Sequence, residues 1–421
     1  MSGRSLALGA YRAATGLAEP FAPALLNGRA RKGKEDPDRI AERLGRPTAP
    51  RPPGPLAWLH AVSVGEAVSL LPLVQALRAR RADLAILVTS GTRTSADLLA
   101  KRLPAGCLHQ YAPVDGPGAV ARFLAHWRPD LGVFVESELW PNLILGARRA
   151  GVRLALLSAR MTEASARGWS RAPTAAAQLL GAFELILAQD AATAGRLERL
   201  GARPAGRLNL KLVGDPLPCD DAELARLRGE LASRPVVLAA STHPGEEALI
   251  VRAWKAAGSP GLLIVAPRHP DRSAAVEAEL KALGPRVSVR SRGEPAARAE
   301  AYLADTLGEL GLFFRLARIV VMGGAFVPGI GGHNPLEPAR LGCAIVTGPE
   351  VFNAADVYAE MAEAGAVVTA RDEAGLAAVL RDLIADPART EALGDAALAY
   401  AARQGAALDE ALARLEPLLP A

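Results

Sequence analysis

From Leu56 onward, short apolar and β-prone runs alternate with longer stretches of helical character. "LAWLHAV", "LAILVTS", "LGVFVES", "VRLALLS" and "LILAQ" each precede a segment suited to a helix. Strands that alternate with helices in this way form βαβ units around a parallel sheet. A polar, Pro-rich patch, "KLVGDPLPCDD", interrupts the pattern, which restarts with "PVVLAAS", "GLLIVAPRH", "ARIVVMGGAF", "CAIVTGP" and "GAVVTA". The pattern predicts an α/β protein with a linker near Gly214 to Asp220, a first domain over residues 51–213 and a second over 214–421. The halves echo one another, since "HAVSVGE" and "AASTHPGE" both leave a strand through Ser and open a helix through Gly-Glu. Two Rossmann-like halves facing a cleft account for that echo.

Residues 1–50 precede the alternation. The stretch "SLALGAYRAATGLAEPFAPALL" is small and apolar, but Arg12, Glu19, Pro20 and Pro23 break it before it reaches the roughly 18 residues of a membrane span. Leu8, Tyr11, Ala14 and Ala18 share one helical face, and Arg29, Arg31, Lys32 and Lys34 follow as a basic cluster. Two readings stand side by side: an interfacial helix on anionic lipid, or a short helix packed on the protein with solvated charges after it. No cleavable export signal closes the segment.

Composition narrows the function. A chain of 421 residues exceeds one ordinary core, and aromatics at 4% disfavour a nucleic-acid reader built on stacking. The net charge of +5, from 49 basic and 44 acidic residues, suits an anionic substrate or a membrane surface. Cys107, Cys219 and Cys343 are widely separated and lack metal-ligand spacing, which argues against a disulfide framework or a zinc site and fits a reducing compartment. His60, His243, His269 and His333 are scattered, with no pair at i, i+4, so neither a metal nor another cofactor is expected.

Four polar constellations fall at the carboxyl ends of predicted strands, where open α/β sheets bind ligands. In "SVGE", Ser63 and Glu66 fit a capping box, and Glu66 equally fits a base placed beyond a strand. In "VESELWPN", Glu136 and Glu138 point to one side if the strand continues, and either can enter the cleft. "STHPGEE" is joined by "PRHPDR", whose Arg268, His269 and Arg272 suit an anion. The Gly-rich "GGAFVPGIGGHNPLEP" lets backbone approach a ligand, offers amides at a helix start near Asn334 or Pro335, and sets Glu337 to accept from ribose hydroxyls. Its spacing is neither a P-loop nor a dinucleotide fingerprint. "DTLGEL" adds Gly308 and Glu309 near another helix start.

Taken in order, "HAVSVGE", "ESELWPNLI", "STHPGEE", "PRHPDR", "DTLGEL" and "GGHNPLEP" resemble the bacterial 3-deoxy-D-manno-octulosonic acid (Kdo) transferases, over nearly the whole chain after residue 50. The resemblance implies a GT-B fold and inverting transfer of Kdo from CMP-Kdo to a tetraacylated lipid A precursor, at the cytoplasmic face of the inner membrane. It implies Glu66 as general base, Glu138 as a second essential carboxylate and Lys211 as a group that stabilises the transition state. It places Arg268, His269, Leu307, Gly308, Glu309, Asn334, Pro335, Leu336 and Glu337 on the CMP-binding segments. Three features depart from the family pattern: "RLNL" separates Gly206 from Lys211, "SARMT" stands where "NARLS" is usual, and the amino terminus is less hydrophobic. With the helix start held by Ser63 alone, Glu66 is expected to swing free. The rival readings are a GT-B enzyme using a UDP- or GDP-sugar, an epimerase of related fold, and a non-catalytic lipid-binding protein.

Overall fold

The computed structural model describes residues 5–420 apart from Glu138 and Pro260. Glu138 therefore lies outside the described residues. The chain divides into two compact units, Met1–Gly214 with Gln404–Ala421, and Asp215–Arg403. The sequence pattern carries its second domain to residue 421, whereas the last turns of the helix Pro387–Leu415 return to the first unit. The reason is apolar: Ala411, Leu412, Leu415 and Leu418 join the core cluster of that unit.

Among the described residues of the first unit, the strands are β1 (Leu56–His60), β2 (Ala85–Ser90), β3 (Cys107–Tyr111), β4 (Leu131–Val135), β5 (Arg153–Ala159), β6 (Leu185–Ala188) and β7 (Gly206–Arg207). They form a parallel sheet in the order β3-β2-β1-β4-β5-β6-β7. Both faces are covered, which is why the strands read as continuous apolar runs. Along β1, Leu56 and Trp58 join one core cluster with Phe123, Trp127 and Phe134, while Ala57 and Leu59 join the opposite one with Leu70, Val74 and Val133. Each such buried large side chain stabilises the fold by about 1.5–3 kcal/mol.

In the second unit the strands are β8 (Val236–Thr242), β9 (Leu262–Pro267), β10 (Val287–Val289), β11 (Ala301–Leu303), β12 (Ile319–Met322), β13 (Ala344–Thr347) and β14 (Val368–Thr369). Their parallel order is β10-β11-β9-β8-β12-β13-β14. Strand order reverses beside β1 in the first sheet and beside β8 in the second, so each sheet has its own ligand-binding switch point.

The amino-terminal segment folds as the helices Leu6–Ala18 and Ala22–Ala30. Of the two readings of the face that carries Leu8 and Tyr11, these residues follow the one packed on the protein: Leu8 is buried and the Tyr11 hydroxyl donates to Asp115 at 2.9 Å. Asn142 donates to Thr15 Oγ1, and Glu19 accepts from the Gly118 amide and from Arg122, capping the helix Pro117–Trp127. The outward apolar residues are Leu6, Leu17, Phe21 and Leu25, exposed by 91%, 78%, 73% and 66%. Arg29 leaves the basic run to pair with buried Glu35, while Arg31, Lys32 and Lys34 stay exposed.

Candidate functional site

Glu66 lies in the first turn of the helix Val64–Arg80, just beyond β1. Its carboxylate does not swing free. Oε2 accepts from the Val62 amide at 2.7 Å, Oε1 accepts from the Ser63 hydroxyl at 3.0 Å, and Ser63 Oγ accepts in turn from the Glu66 amide. Ser63 thus caps the first turn while the Glu66 carboxylate reaches back to the Val62 amide, one residue before the cap, and to the Ser63 hydroxyl, so the expectation that Ser63 holds the helix start alone and Glu66 swings free is corrected. Capping does not exhaust the group, because each carboxylate oxygen has a second acceptor site. At 7% exposure Glu66 is held in one orientation with a little access to solvent.

Beneath it, His60 ends β1, with its Nδ1 2.9 Å from Thr89 Oγ1, which also accepts from the Trp58 indole N–H. Burial pushes the His60 pKa down to about 3, so the ring is neutral.

Across the switch point, Glu136 follows β4 with φ of 56°, a left-handed conformation uncommon for any residue other than glycine. Lys211 Nζ reaches its Oε1 at 2.5 Å. Lys211 stands on a short turn, Leu210–Leu212, held by two side chains: Asn209 Oδ1 accepts from the Lys211 amide and Ser158 Oγ from the Leu210 amide. Ser158 also has a positive φ, of 52°, where the β5 to β6 register shifts. The sequence offered either Glu136 or Glu138 and left Ser158 without a role. The fold brings Glu136, Ser158 and Lys211 into one cluster.

In the second unit the "STHPGEE" carboxylates are structural. Glu246, wholly buried, accepts from the amides of His243 (2.9 Å), Gly324 (2.7 Å), Ala325 (3.0 Å) and Phe326 (2.9 Å). One carboxylate thus ties the Gly-rich loop to the end of β8. The loop needs its glycines there, since a Cβ on Gly323 would lie 2.5 Å from the Ser241 carbonyl oxygen. Glu247, also buried, accepts from Thr242 Oγ1 and pairs with Arg272 at 2.9 Å. This removes Arg272 from the anion site read in "PRHPDR" and leaves Arg268 and His269, both exposed, beyond β9.

Histidines that look scattered along the chain converge here. His243 Nε2 is 2.9 Å from His333 Nε2 with the rings stacked at 11°, and the His269 ring centroid lies 5.9 Å from that of His243. They come from the segments that follow β8 and β9 and from the Gly-rich loop after β12, which no local spacing reports.

The remaining candidates divide. Leu307 is 79% exposed and Gly308 has a φ of 84°. The Glu309 carboxylate, by contrast, is taken by Arg290 at 2.6 Å and by Thr306. Asn334 Oδ1 accepts from the Leu336 amide, Pro335 and Leu336 are buried, and burial raises the Glu337 pKa despite Arg340 and Arg268 nearby. The helix expected after the Gly-rich loop is only Leu336–Ala339, four residues, with an amide already bonded, so it presents no helix-start anion site.

Residues 38–213 match the family described as 3-deoxy-D-manno-octulosonic-acid transferase (kdotransferase). A probable mitochondrial 3-deoxy-D-manno-octulosonic acid transferase of Arabidopsis thaliana is 36% identical over 367 residues, covering 84% of this chain and 82% of the relative. The 3-deoxy-D-manno-octulosonic acid transferase of Bordetella pertussis is 35% identical over 396 residues, covering 90% and 91%. The chain belongs to the 3-deoxy-D-manno-octulosonic acid transferases. It is therefore a glycosyltransferase that transfers Kdo. A solved glycosyltransferase of Rickettsia africae, 10% identical with a TM-score of 0.59, covers 87% of this chain and 99% of its own, a likeness of fold. With two seven-stranded parallel sheets, the family member has a GT-B-type fold. Among the described residues no helix is long and apolar enough to cross a membrane.

Proposed function

We propose that this Kdo transferase moves Kdo from CMP-Kdo to a tetraacylated lipid A precursor, lipid IVA, with inversion, at the cytoplasmic face of the inner membrane. The observation that carries this reading is Glu66: a carboxylate fixed at the switch point of the first sheet, with one acceptor site left on each oxygen. A carboxylate so placed takes the proton of the acceptor hydroxyl as its oxygen attacks the anomeric carbon. The bond from that carbon to phosphate breaks on the opposite face, and its electron pair leaves on CMP. Lys211, fixed by Glu136 and by the Ser158-held turn, supplies a cation against the developing charge. Glu138 keeps its role as a second carboxylate on the family resemblance alone.

The second unit is assigned the donor, with Arg268, His269, Leu307, Gly308 and the Asn334–Glu337 segment as its contacts. Glu309 contributes by holding its loop to Arg290. The first unit is assigned the acceptor. Exposed Leu17, Phe21 and Leu25, with Arg31, Lys32 and Lys34, supply an apolar and basic surface suited to anionic lipid.

The test is product mass after incubation with CMP-Kdo and the tetraacylated precursor, paired with Glu66→Gln. The amide still accepts from Val62 and can donate to Ser63, so the melting temperature should stay near that of the wild type while turnover falls by about 10²-fold or more. Full turnover in that variant removes Glu66 as the base. Binding of UDP but not CMP by the wild type overturns the donor assignment.

A further inference from the structure

Among the polar groups outside the proposed catalytic set, the contact between His243 and His333 is the least ordinary. Two imidazole nitrogens 2.9 Å apart require one N–H and one lone pair between them. The second ring nitrogen of His333 fixes which. The Ser241 backbone acts on the His333 ring in the sense that favours its protonated form, and we assign it as a carbonyl accepting from Nδ1–H, the nitrogen that does not face His243. His333 Nε2 then carries the lone pair, His243 Nε2 carries the hydrogen, and His243 Nδ1 is left as the acceptor. No described residue occupies His243 Nδ1. The chain of groups runs from the Ser241 carbonyl through both rings to one open nitrogen beyond β8, at the switch point of the sheet.

We propose that the His243–His333 pair takes up one proton from solvent when the phosphate monoester of CMP occupies the second unit, so that the pair offsets the charge appearing on the leaving nucleotide. This rests on the reading that the second unit binds the donor nucleotide. The proton adds to His243 Nδ1, and the N–H···N contact spreads its charge over both rings. Without an anion the pair is held neutral. Burial is the first cause for both rings, with His333 down at about 4, where His243, Arg268 and His269 add to the effect. Around His243, Glu246 and Glu247 pull the pKa upward while His269 and Arg272 push it down. Those two carboxylates are committed, Glu246 to four amides and Glu247 to Arg272, so neither can turn to complete the pair. A phosphate dianion within a few ångströms supplies the missing negative charge and favours the protonated form.

The experiment is isothermal titration of CMP into the full-length protein at pH 7.5, in buffers of differing ionisation enthalpy. CMP is then almost wholly dianionic, its second pKa being about 6. Uptake approaching one proton per CMP is expected, with none for cytidine, which lacks the phosphate. CMP affinity should weaken towards tenfold per pH unit as the pH rises from 7 to 8. His333→Asn and, separately, His243→Gln should still bind CMP but lose most of the uptake. Wild-type binding without proton uptake overturns the inference alone, and so does uptake that persists in both variants. No binding of CMP to the wild type overturns the donor-domain reading and this inference with it.

Discussion

Lys211 Nζ and Glu136 Oε1 lie 2.5 Å apart, with the carboxylate only 6% exposed and the lysine 41%. The two residues are 75 positions apart in the chain and meet because β4 and the turn after β7 end on the same side of one sheet. Removing the lysine leaves a buried carboxylate without its counter-ion. Lys211→Met should cost about 1–3 kcal/mol of stability, less than a fully buried pair would because the ammonium is partly solvated. Kdo transfer should fall further than the melt alone explains. Calorimetry alongside the transfer assay checks both, and unchanged turnover removes Lys211 from the catalytic set.

Glu246 makes a second prediction. Its replacement by Ala leaves four amides without their acceptor at a buried site, an expected loss of about 3 kcal/mol or more. Glu246→Gln, which keeps one acceptor oxygen, should fall between that variant and the wild type. Denaturant melts rank the three proteins, and the opposite order would show that the loop is held by other means.

The third prediction concerns acid. His60 and His109 both have pKa values of about 3, with burial as the first cause and a nearby arginine as the second. Their folded values lie below the unfolded 6.5, so the folded state binds fewer protons. The stability they lend is complete above pH 6.5 and is lost as the pH falls from there towards 3, by about 1.4 kcal/mol per pH unit for each ring. Denaturant melts at pH 7.5 and 5.5 should show this loss, reduced in His109→Gln. An equal loss in wild type and variant would place the acid sensitivity elsewhere.

The exposed apolar side chains of the amino-terminal helices give the fourth. Leu17→Ser with Phe21→Ser should leave the melting temperature unchanged, since both residues already face solvent. Association with vesicles rich in phosphatidylglycerol should weaken about tenfold or more. Co-sedimentation measures it, and unaltered partitioning would move lipid docking to another surface.

Much of this molecule was legible in its sequence. Apolar runs bounded by turns located ten of the strands, because a strand buried on both faces has to be apolar throughout. The four that escaped, β3, β7, β10 and β11, are short or carry polar residues such as His109 and Gln110. Local geometry was legible where a short motif carries it, as in the contact of Ser63 with Glu66. It was missed where geometry depends on distant backbone. Glu136, Ser158 and Ser241 have φ values of 56°, 52° and 58° at strand ends, and none is a glycine that would have marked the bend. The role of Ser158 follows from an amide 52 positions away, and that of His333 from a histidine 90 positions away.

Asp115 deserves a last consequence. Its carboxylate accepts from the Tyr11 hydroxyl on one side and from the Asn142 and Leu143 amides on the other, the second pair being the start of the helix that follows "SELWP". One half-buried side chain thus bolts the amino-terminal helix to the element that leads away from Glu136. Were a bilayer to press on Phe21, it would meet a strut rather than a tether: under the proposed function, the depth of the helix in lipid and the height of the Glu66 carboxylate above it would be a single mechanical coordinate.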